Sequence, residues 1–519
     1  MRSRLAELFY PHASKTPDKT AIWCDGKSVT YLGMAELVSR YSNLLLSNGV
    51  VYGDHIAIPM NNSIESVALF FSAADLGVCL VPLNPTLPLD AIKSAMRFGD
   101  MKHIIARKAF FSEIDKNGGL EIPGIAICLD SEYVGTIPFA TIDDMSPKRP
   151  KVDGVTGEES LILTMTSGST GNPKPIDISQ NNKYDRSMAH IRVYGLTKDD
   201  KILSATPLYH SLAERLVILP FILGATSILL PRFTPALWLK CVEEQKPTFT
   251  IAVSAQLAQV LELLKQPNAP NINSFRSIVS SSALLEESVK LELIEKLKCE
   301  FYEMYGTSET STVTSICFQK SPGKQKSVGR PFDEAQVRIL RDDNNTDFDT
   351  DCTVCEIGEI ACKTSLLCKG YYKQETMLNA TMFEGYFRTG DLGYLDSDGY
   401  LYLSGRKKEI IITGAVNVYP HDIDIVVERM PEVEECAAFA YPDDRLIEVV
   451  ALAVVAKEDS TISPRLVKTF CARHLADFQQ PHKIFIVDHL PKNTMGKLQR
   501  MSILDYVREM GLDNKQNKP

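Results

Sequence analysis

Twice along this chain, short apolar runs alternate with amphipathic segments, and that rhythm limits the fold more than any other feature. Thr20-Ala21-Ile22-Trp23-Cys24 reads as a strand that ends in a turn at Asp25-Gly26. Leu37, Tyr41, Leu44 and Leu45 then fall at helical spacing within residues 31–48, and Gly49 marks the stop. His55-Ile56-Ala57-Ile58-Pro59 is another strand, residues 64–76 a helix halted at Gly77, and Val78-Cys79-Leu80-Val81-Pro82 the next strand. A second stretch of this kind covers residues 201–282. Its strands are Ile202-Leu203-Ser204-Ala205-Thr206, Phe249-Thr250-Ile251-Ala252-Val253 and Ser277-Ile278-Val279-Ser280. Strands joined through helices pair in parallel by right-handed crossovers, so the pattern predicts an α/β architecture with two parallel-type sheets.

A chain of 519 residues exceeds one ordinary core. From Val328 to Leu403 the pattern changes to short strands and turns, which reads as a β-rich subdomain. After Lys408 it resets, with a helix over 421–429, strands over 433–441 and 447–455, and a helix opened by Ser463-Pro464. The expected organisation is a large N-terminal domain over 1–407 and a small α+β domain over 408–519. The tail from 513 to 519 reads as frayed, and no internal repeat is visible.

The net charge of −9 argues against a nucleic-acid partner, which needs a basic face. Arg2, Arg4, His12, Lys15 and Asp18 leave no apolar core for an export signal near the start. The longest apolar stretch, 216–230, is broken by Pro220, Gly224, Thr226 and Ser227. It falls short of the ~20 residues of a membrane helix and reads as two buried elements joined at Gly224. No transmembrane segment is expected, and the twelve cysteines read as reduced thiols of a cytoplasmic protein. Cys352, Cys355, Cys362 and Cys368 crowd together, but their later spacings match no standard zinc knuckle. They read as small buried side chains.

Chemistry concentrates in a series of small motifs. Met165-Thr166-Ser167-Gly168-Ser169-Thr170-Gly171-Asn172-Pro173-Lys174 sets hydroxyls between two glycines and ends in a lysine. Such a loop offers close backbone approach, hydroxyl and N–H donors and one point charge, all suited to phosphate oxygens. It is not a Walker A loop, because Pro173 and Pro175 flank the lysine. Downstream follow Pro207-Leu208-Tyr209-His210, Ser280-Ser281-Ser282-Ala283-Leu284, and Tyr305-Gly306-Thr307-Ser308-Glu309. Then come Tyr386-Phe387-Arg388-Thr389-Gly390-Asp391, with its aspartate behind a Thr-Gly turn, the basic turn Ser404-Gly405-Arg406-Lys407-Lys408-Glu409, and Leu490-Pro491-Lys492-Asn493-Thr494-Met495-Gly496-Lys497.

In this order the motifs resemble the adenylate-forming superfamily of acyl-CoA synthetases, firefly-type luciferases and carrier-protein adenylation domains. The resemblance covers nearly the whole chain and is closest to a stand-alone acyl-CoA ligase. It implies that residues 166–174, with Thr166, Ser167, Gly168, Ser169, Thr170, Gly171 and Lys174, hold the β- and γ-phosphates of ATP. Adenine would lie between Tyr305 and the backbone at Ser282 and Ala283, beside Gly306, Thr307 and Ser308. Glu309 would carry Mg2+, a role suited to a hard oxygen ligand. Asp391 and Arg406 would bind the ribose hydroxyls, and His210 would stand beside the acyl carboxylate. Lys497 would bridge that carboxylate and the α-phosphate. Lys408 would be the hinge of a mobile small domain, and the loop containing Gly414 would meet the thiol of coenzyme A. The acid's pocket would lie near His210, Ser282 and residues 310–315.

Several positions depart from the family's usual residues. Pro175 stands where glycine is common, Ser281 and Ser282 replace paired glycines, and Leu284 replaces proline. Ser308 replaces threonine, and Ala415 and Val416 replace a glycine and a polar residue. The apolar run 212–223 after His210 suits a fatty or other apolar acid and suits core packing as well. The alternatives left open are an acyl carrier protein or an amine as acceptor, a catalytically silent nucleotide sensor, and a light-emitting oxidase.

Overall fold

The computed structural model describes residues 5–167, 173–341, 350–413, 416–443, 445–493 and 496–512. The strands and helices of the two alternating stretches build two large sheets. One has eight strands; parallel pairs join His55–Pro59, Cys79–Leu83 and His103–Ala106 at its centre. Toward one edge, Ser160–Ser167 and Pro173–Ser179 form an antiparallel hairpin, which Gly370–Tyr371 extends. The other sheet has nine strands, with Lys201–Ser204, Phe249–Val253, Ser277–Ser281 and Glu300–Thr307 parallel and Ser311–Cys317 antiparallel beyond them.

Sheet membership differs from a simple reading of the alternation. Thr20–Cys24 pairs in parallel with Thr226–Leu229 and so belongs, with Lys27–Thr30, to the nine-stranded sheet, although the strands from His55–Pro59 to Pro173–Ser179 that follow build the eight-stranded one. Periodicity identifies a strand; which edge receives it depends on long-range packing.

Local chemistry explains where the helices begin and end. Thr30 and Ser63 accept from the backbone N–H groups of Gly33 and Ser66 at the starts of Tyr31–Ser47 and Ile64–Leu76. Gly77 and Gly224 close Ile64–Leu76 and Ser211–Leu223 in the left-handed conformation, at φ 66° and 70°. Phe9, Phe71 and Phe221 meet at ring distances of 4.3–5.2 Å in the core between these helices. Ala213, Val217 and Ile218 fill the same core. The run 216–230 is thus a buried helix followed, after Gly224, by the strand Thr226–Leu229. No helix among the described residues is long and apolar enough to cross a membrane.

Internal contacts divide the chain into two units. The first comprises 1–325, 331–336 and 363–387, the second 326–330, 337–362 and 388–519. Lys408 falls inside the second unit, in the 3-10 turn Lys407–Glu409. There Leu401–Arg406 runs antiparallel to residues 391–395. Residues 389–390, expected as a turn, lie within the long strand Tyr386–Leu395, where Gly390 takes φ +74°. A five-stranded sheet follows, centred on Ile447–Ala456 with Val433–Asp443 at one edge. Pro420–Val427 and Pro464–His474 cover one face through Ile423, Val427, Val467 and Cys471. Ile503–Glu509 covers the other through Ile503 and Val507 against Phe439 and Phe485.

Of the four clustered cysteines, Cys362 and Cys368 are buried, as expected. Cys355 is exposed and Cys352 only half-buried, because both sit in the turns between Leu340 and Gly358. The tail 513–519 lies outside the described residues.

Candidate active site

The two ends of the phosphate-loop motif lie on the paired strands Ser160–Ser167 and Pro173–Ser179. Backbone register sets Thr166 opposite Lys174, Ser167 opposite Pro173 and Met165 opposite Pro175. Gly168, Ser169, Thr170 and Gly171 lie outside the described residues. The Lys174 ammonium sits 6.0 Å from the centre of the Tyr371 ring. Across that ring, the Tyr371 hydroxyl donates to Glu309 Oε1 at 2.9 Å. Burial and the neighbouring carboxylate raise the phenol's proton affinity, so it stays a donor. Tyr371 links two predicted site residues and was missed, because an aromatic in a two-residue edge strand carries no local signal.

The turn bearing Glu309 is clamped from several sides. Thr307 and Thr310 close it through reciprocal hydroxyl–backbone bonds of 3.1 and 3.2 Å. Arg186 Nη1 donates to the Ser308 carbonyl at 3.0 Å and Nη2 to the Glu309 carbonyl at 2.6 Å. The Cys368 N–H reaches the Glu309 carbonyl at 2.8 Å. At Gly306 a β-carbon would lie 1.9 Å from the Ser311 carbonyl oxygen, so no other residue fits. Arg186 also escaped the sequence reading. Lys183, Arg186 and His190 do share one buried face of the helix Gln180–Tyr194, a polar stripe where apolar residues are the norm.

Ser282 and Ala283 follow the strand Ser277–Ser281, next to the strand that carries Tyr305. Both are exposed, and Ser282 takes φ +76°, while the Tyr305 ring is buried. The Ser254 hydroxyl fixes the shelf by donating to the Ala283 carbonyl at 2.5 Å.

His210 caps the helix Ser211–Leu223, and its ring lies 4.5 Å from that of Tyr209. Its Nε2 is buried with no partner among the described residues. Burial lowers the imidazole to about 4, so it is neutral at physiological pH.

In the second unit, Asp391 and Arg406 face each other across an antiparallel pair, with Nε 3.1 Å from Oδ1. Lys497 lies on a tight turn closed by the Lys492–Leu498 bridge and by its own N–H to Asn493 Oδ1 at 2.9 Å. Burial and the Arg406 charge lower its proton affinity, while Asp391 and Glu409 act the other way. The lysine thus shares one electrostatic environment with Asp391 and Arg406. Three residues on, Arg500 reaches Glu409 Oε2 at 3.1 Å, Asp424 Oδ2 at 2.7 Å and the Ala438 carbonyl at 2.5 Å. Lys408 is exposed between Lys407, which lies 3.3 Å from Glu359, and Glu409. Gly414 lies outside the described residues; the flanking strands Ile411–Thr413 and Val416–Val418 pair antiparallel.

The residues present fit a magnesium ion at Glu309. One carboxylate oxygen is held by Tyr371, and the other has no protein donor among the described residues. Those residues contain no cluster of three potential metal ligands. Magnesium commonly binds through one or two carboxylates and is completed by water and substrate phosphates.

The profile of the AMP-binding enzymes matches residues 9–372, and that of the AMP-binding enzyme C-terminal domain matches residues 422–497. The chain belongs to the AMP-binding enzyme family. Over 98% of its length and 98% of the relative's, it is 28% identical to an indoleacetate–CoA ligase of Aromatoleum aromaticum. It is 27% identical, over 91% of each chain, to a long-chain-fatty-acid–CoA ligase of Mycobacterium tuberculosis. The O-succinylbenzoate coenzyme A synthetase of Bacillus subtilis, solved with ATP and magnesium, superimposes with a TM-score of 0.83 at 26% identity. That match covers 96% of this chain and 99% of the other. The CoA ligases of this family use ATP, Mg2+ and coenzyme A.

Proposed function

We propose that this protein is an AMP-forming acid–thiol ligase that adenylates a carboxylic acid and passes the acyl group to coenzyme A. The observation that carries the reading is the common environment of Lys497, Asp391 and Arg406, which sets a cation of lowered proton affinity beside a ribose-binding pair. A carboxylate is a poor electrophile because its leaving group would be oxide. Attack of its oxygen on the α-phosphorus of ATP forms the acyl–phosphate bond and expels pyrophosphate. The thiol then attacks the carbonyl, and AMP leaves. Negative charge gathers between carboxylate and α-phosphate in the first step, where an ammonium group aimed at that point lowers the barrier.

In this reading Lys174 and the other residues of the 166–174 motif hold the outer phosphates, and Tyr305 stacks on adenine against the Ser282–Ala283 shelf. Neutral His210 stands beside the acyl carboxylate without adding a competing charge. Glu309, oriented by Tyr371 and Arg186, holds Mg2+, which neutralises phosphate charge when bound. Rotation about Lys408 withdraws Lys497 for the second step and brings the loop of Gly414 to the thiol.

The acid's identity is a separate matter. The named relatives act on indoleacetate, long-chain fatty acids and O-succinylbenzoate, so family membership leaves the acid open. The apolar residues 216–219 and 221 of Ser211–Leu223 are buried in the core, which removes them as support for a fatty acid. The relatives named favour coenzyme A as acceptor over a carrier protein or an amine. ATP–pyrophosphate exchange across an acid panel, then thiol-dependent AMP release with coenzyme A or a carrier, tests the proposal. Exchange with no acid would leave the nucleotide-sensor alternative.

A further inference from the structure

Two helices supply a connected set of buried polar side chains behind the turn of Glu309. Arg215 lies on Ser211–Leu223 and is buried. Its Nη1 donates to His190 Nε2 at 3.0 Å and to Thr312 Oγ1 at 3.1 Å; Nη2 donates to Ser311 Oγ at 3.2 Å. His190, on Gln180–Tyr194, donates from Nδ1 to the Arg186 carbonyl at 2.7 Å, which leaves Nε2 as the acceptor. Burial and the Arg215 charge keep that imidazole unprotonated. Thr312 extends the contact, donating from Oγ1 to Met304 Sδ at 3.3 Å, next to Tyr305. Glu214, one residue before Arg215, pairs with Lys183, so a buried ion pair joins the same two helices.

The segment these groups hold is irregular. Tyr305 pairs with Thr314 but Gly306 pairs with Thr312, so the register skips Val313 in a bulge. Ser311 takes φ +63°, a conformation rare for a residue with a side chain. Strain of this kind persists only where the surroundings over-determine the backbone. Here two guanidinium groups do so. Arg186 grips the start of the turn through the carbonyls of Ser308 and Glu309, and Arg215 grips its end through the hydroxyls of Ser311 and Thr312. All three acceptors of Arg215 are neutral, so they do not offset the cost of burying its charge as a carboxylate would. What the guanidinium supplies is a planar fork that spans two adjacent residues and a neighbouring helix, which an ammonium group does not.

Resting on the ligase reading above, we infer that Arg215 is a positioning residue for the nucleotide and its metal: by fixing Ser311 and Thr312 it holds the bulged turn in the form that presents Tyr305 to adenine and Glu309 to magnesium. It acts through Ser311, Thr312 and His190.

Calorimetric titration of the full-length protein with Mg·ATP tests this without any acid. Arg215→Lys keeps the charge and loses the fork, and its Kd for Mg·ATP is expected to rise about fivefold or more. A role in packing alone would lower the folded fraction, and hence the stoichiometry, and leave the Kd unchanged. Ser311→Ala removes one acceptor and should raise the Kd about twofold or more. In pyrophosphate exchange, the KM for Mg·ATP should rise in Arg215→Lys while the KM for the acid stays within about twofold. An unchanged Kd in Arg215→Lys, or equal rises in both KM values, overturns the inference and leaves the ligase reading standing. Should Arg215→Lys not fold, the Kd of Ser311→Ala decides. If the wild type binds Mg·ATP but exchanges with no acid, the ligase reading fails and the Kd comparison still decides the role of Arg215. A wild type that binds no Mg·ATP overturns both.

Discussion

Tyr371 and Glu309 are joined by a 2.9 Å hydrogen bond between phenol and carboxylate, and the ring of Tyr371 also faces Lys174. One side chain therefore orients both the candidate metal ligand and a candidate phosphate ligand. A hydrogen bond to a charged group contributes about 1.5–3 kcal/mol. Tyr371→Phe keeps the ring and removes only that bond, so adenylation should fall on the order of 10- to 100-fold. Pyrophosphate exchange measured against Mg2+ concentration should show a raised metal requirement. Glu309→Gln should lose on the order of 10²-fold or more and regain little at high Mg2+. An unchanged metal requirement in Tyr371→Phe would remove Glu309 from the metal role.

Lys497→Ala should abolish adenylation, by on the order of 10²–10³-fold, yet retain thioester formation from a supplied acyl adenylate. The two half-reactions, assayed separately, should part company; equal losses would refute the division. The charged form of Lys497 is the useful one, and burial with Arg406 lowers its proton affinity. Adenylation is therefore complete below the folded-state pKa and lost as pH rises through it, a limb that begins at lower pH than an exposed lysine would give. The thioester half-reaction should lack that limb.

Much of this architecture was readable before any coordinates. Ile64–Leu76 and Phe249–Val253 appear at the expected boundaries because an N-cap serine, a left-handed glycine and β-branched runs act locally. The motif residues were readable for a related reason: small residues, turns and isolated charges stand out against apolar periodicity. What was hidden depends on contacts between distant segments. Thr20–Cys24 changes sheets through a partner some 200 positions away. Tyr371 acquires its role from the turn bearing Glu309, and nothing in its own neighbourhood marks it, whereas Arg186 is marked only by the polar stripe it shares with Lys183 and His190. Cys355 looked like a core residue by type and is exposed by its turn.

Acid should destabilise the fold through His210. Its folded-state value of about 4 lies below the ordinary 6.5, so the unfolded chain takes up the proton first as pH falls. The stability linked to the neutral ring is fully present above pH 6.5 and is lost as pH falls toward 4. At pH 5 the loss amounts to about 2 kcal/mol from this residue. Buried His190, shifted the same way, adds to it. Urea midpoints at pH 7 and pH 5 should fall further for the wild type than for His210→Gln. Parallel falls would mean that the imidazole is solvated.

Arg500 and Glu409 tie the segment after Lys497 to the residue after Lys408, while Lys407 is tied to Glu359. In the proposed reading the exposed Lys408 between these two attachments is where the backbone rotates, since both of its neighbours make ion pairs. Arg500 is also the buried partner of Asp424, whose other oxygen accepts from the Ala438 N–H at 2.6 Å. Removing one member of a buried pair leaves the other charge unmatched and costs about 3–5 kcal/mol. Arg500→Met should thus lower the denaturation midpoint markedly. Glu409→Gln keeps the Arg500–Asp424 pair and should leave that midpoint within about 1 kcal/mol of the wild type. If the Glu409 link transmits rotation to Lys497, Glu409→Gln should still slow adenylation while sparing thioester formation. Equal slowing of both half-reactions, or of neither, would assign the link to packing alone.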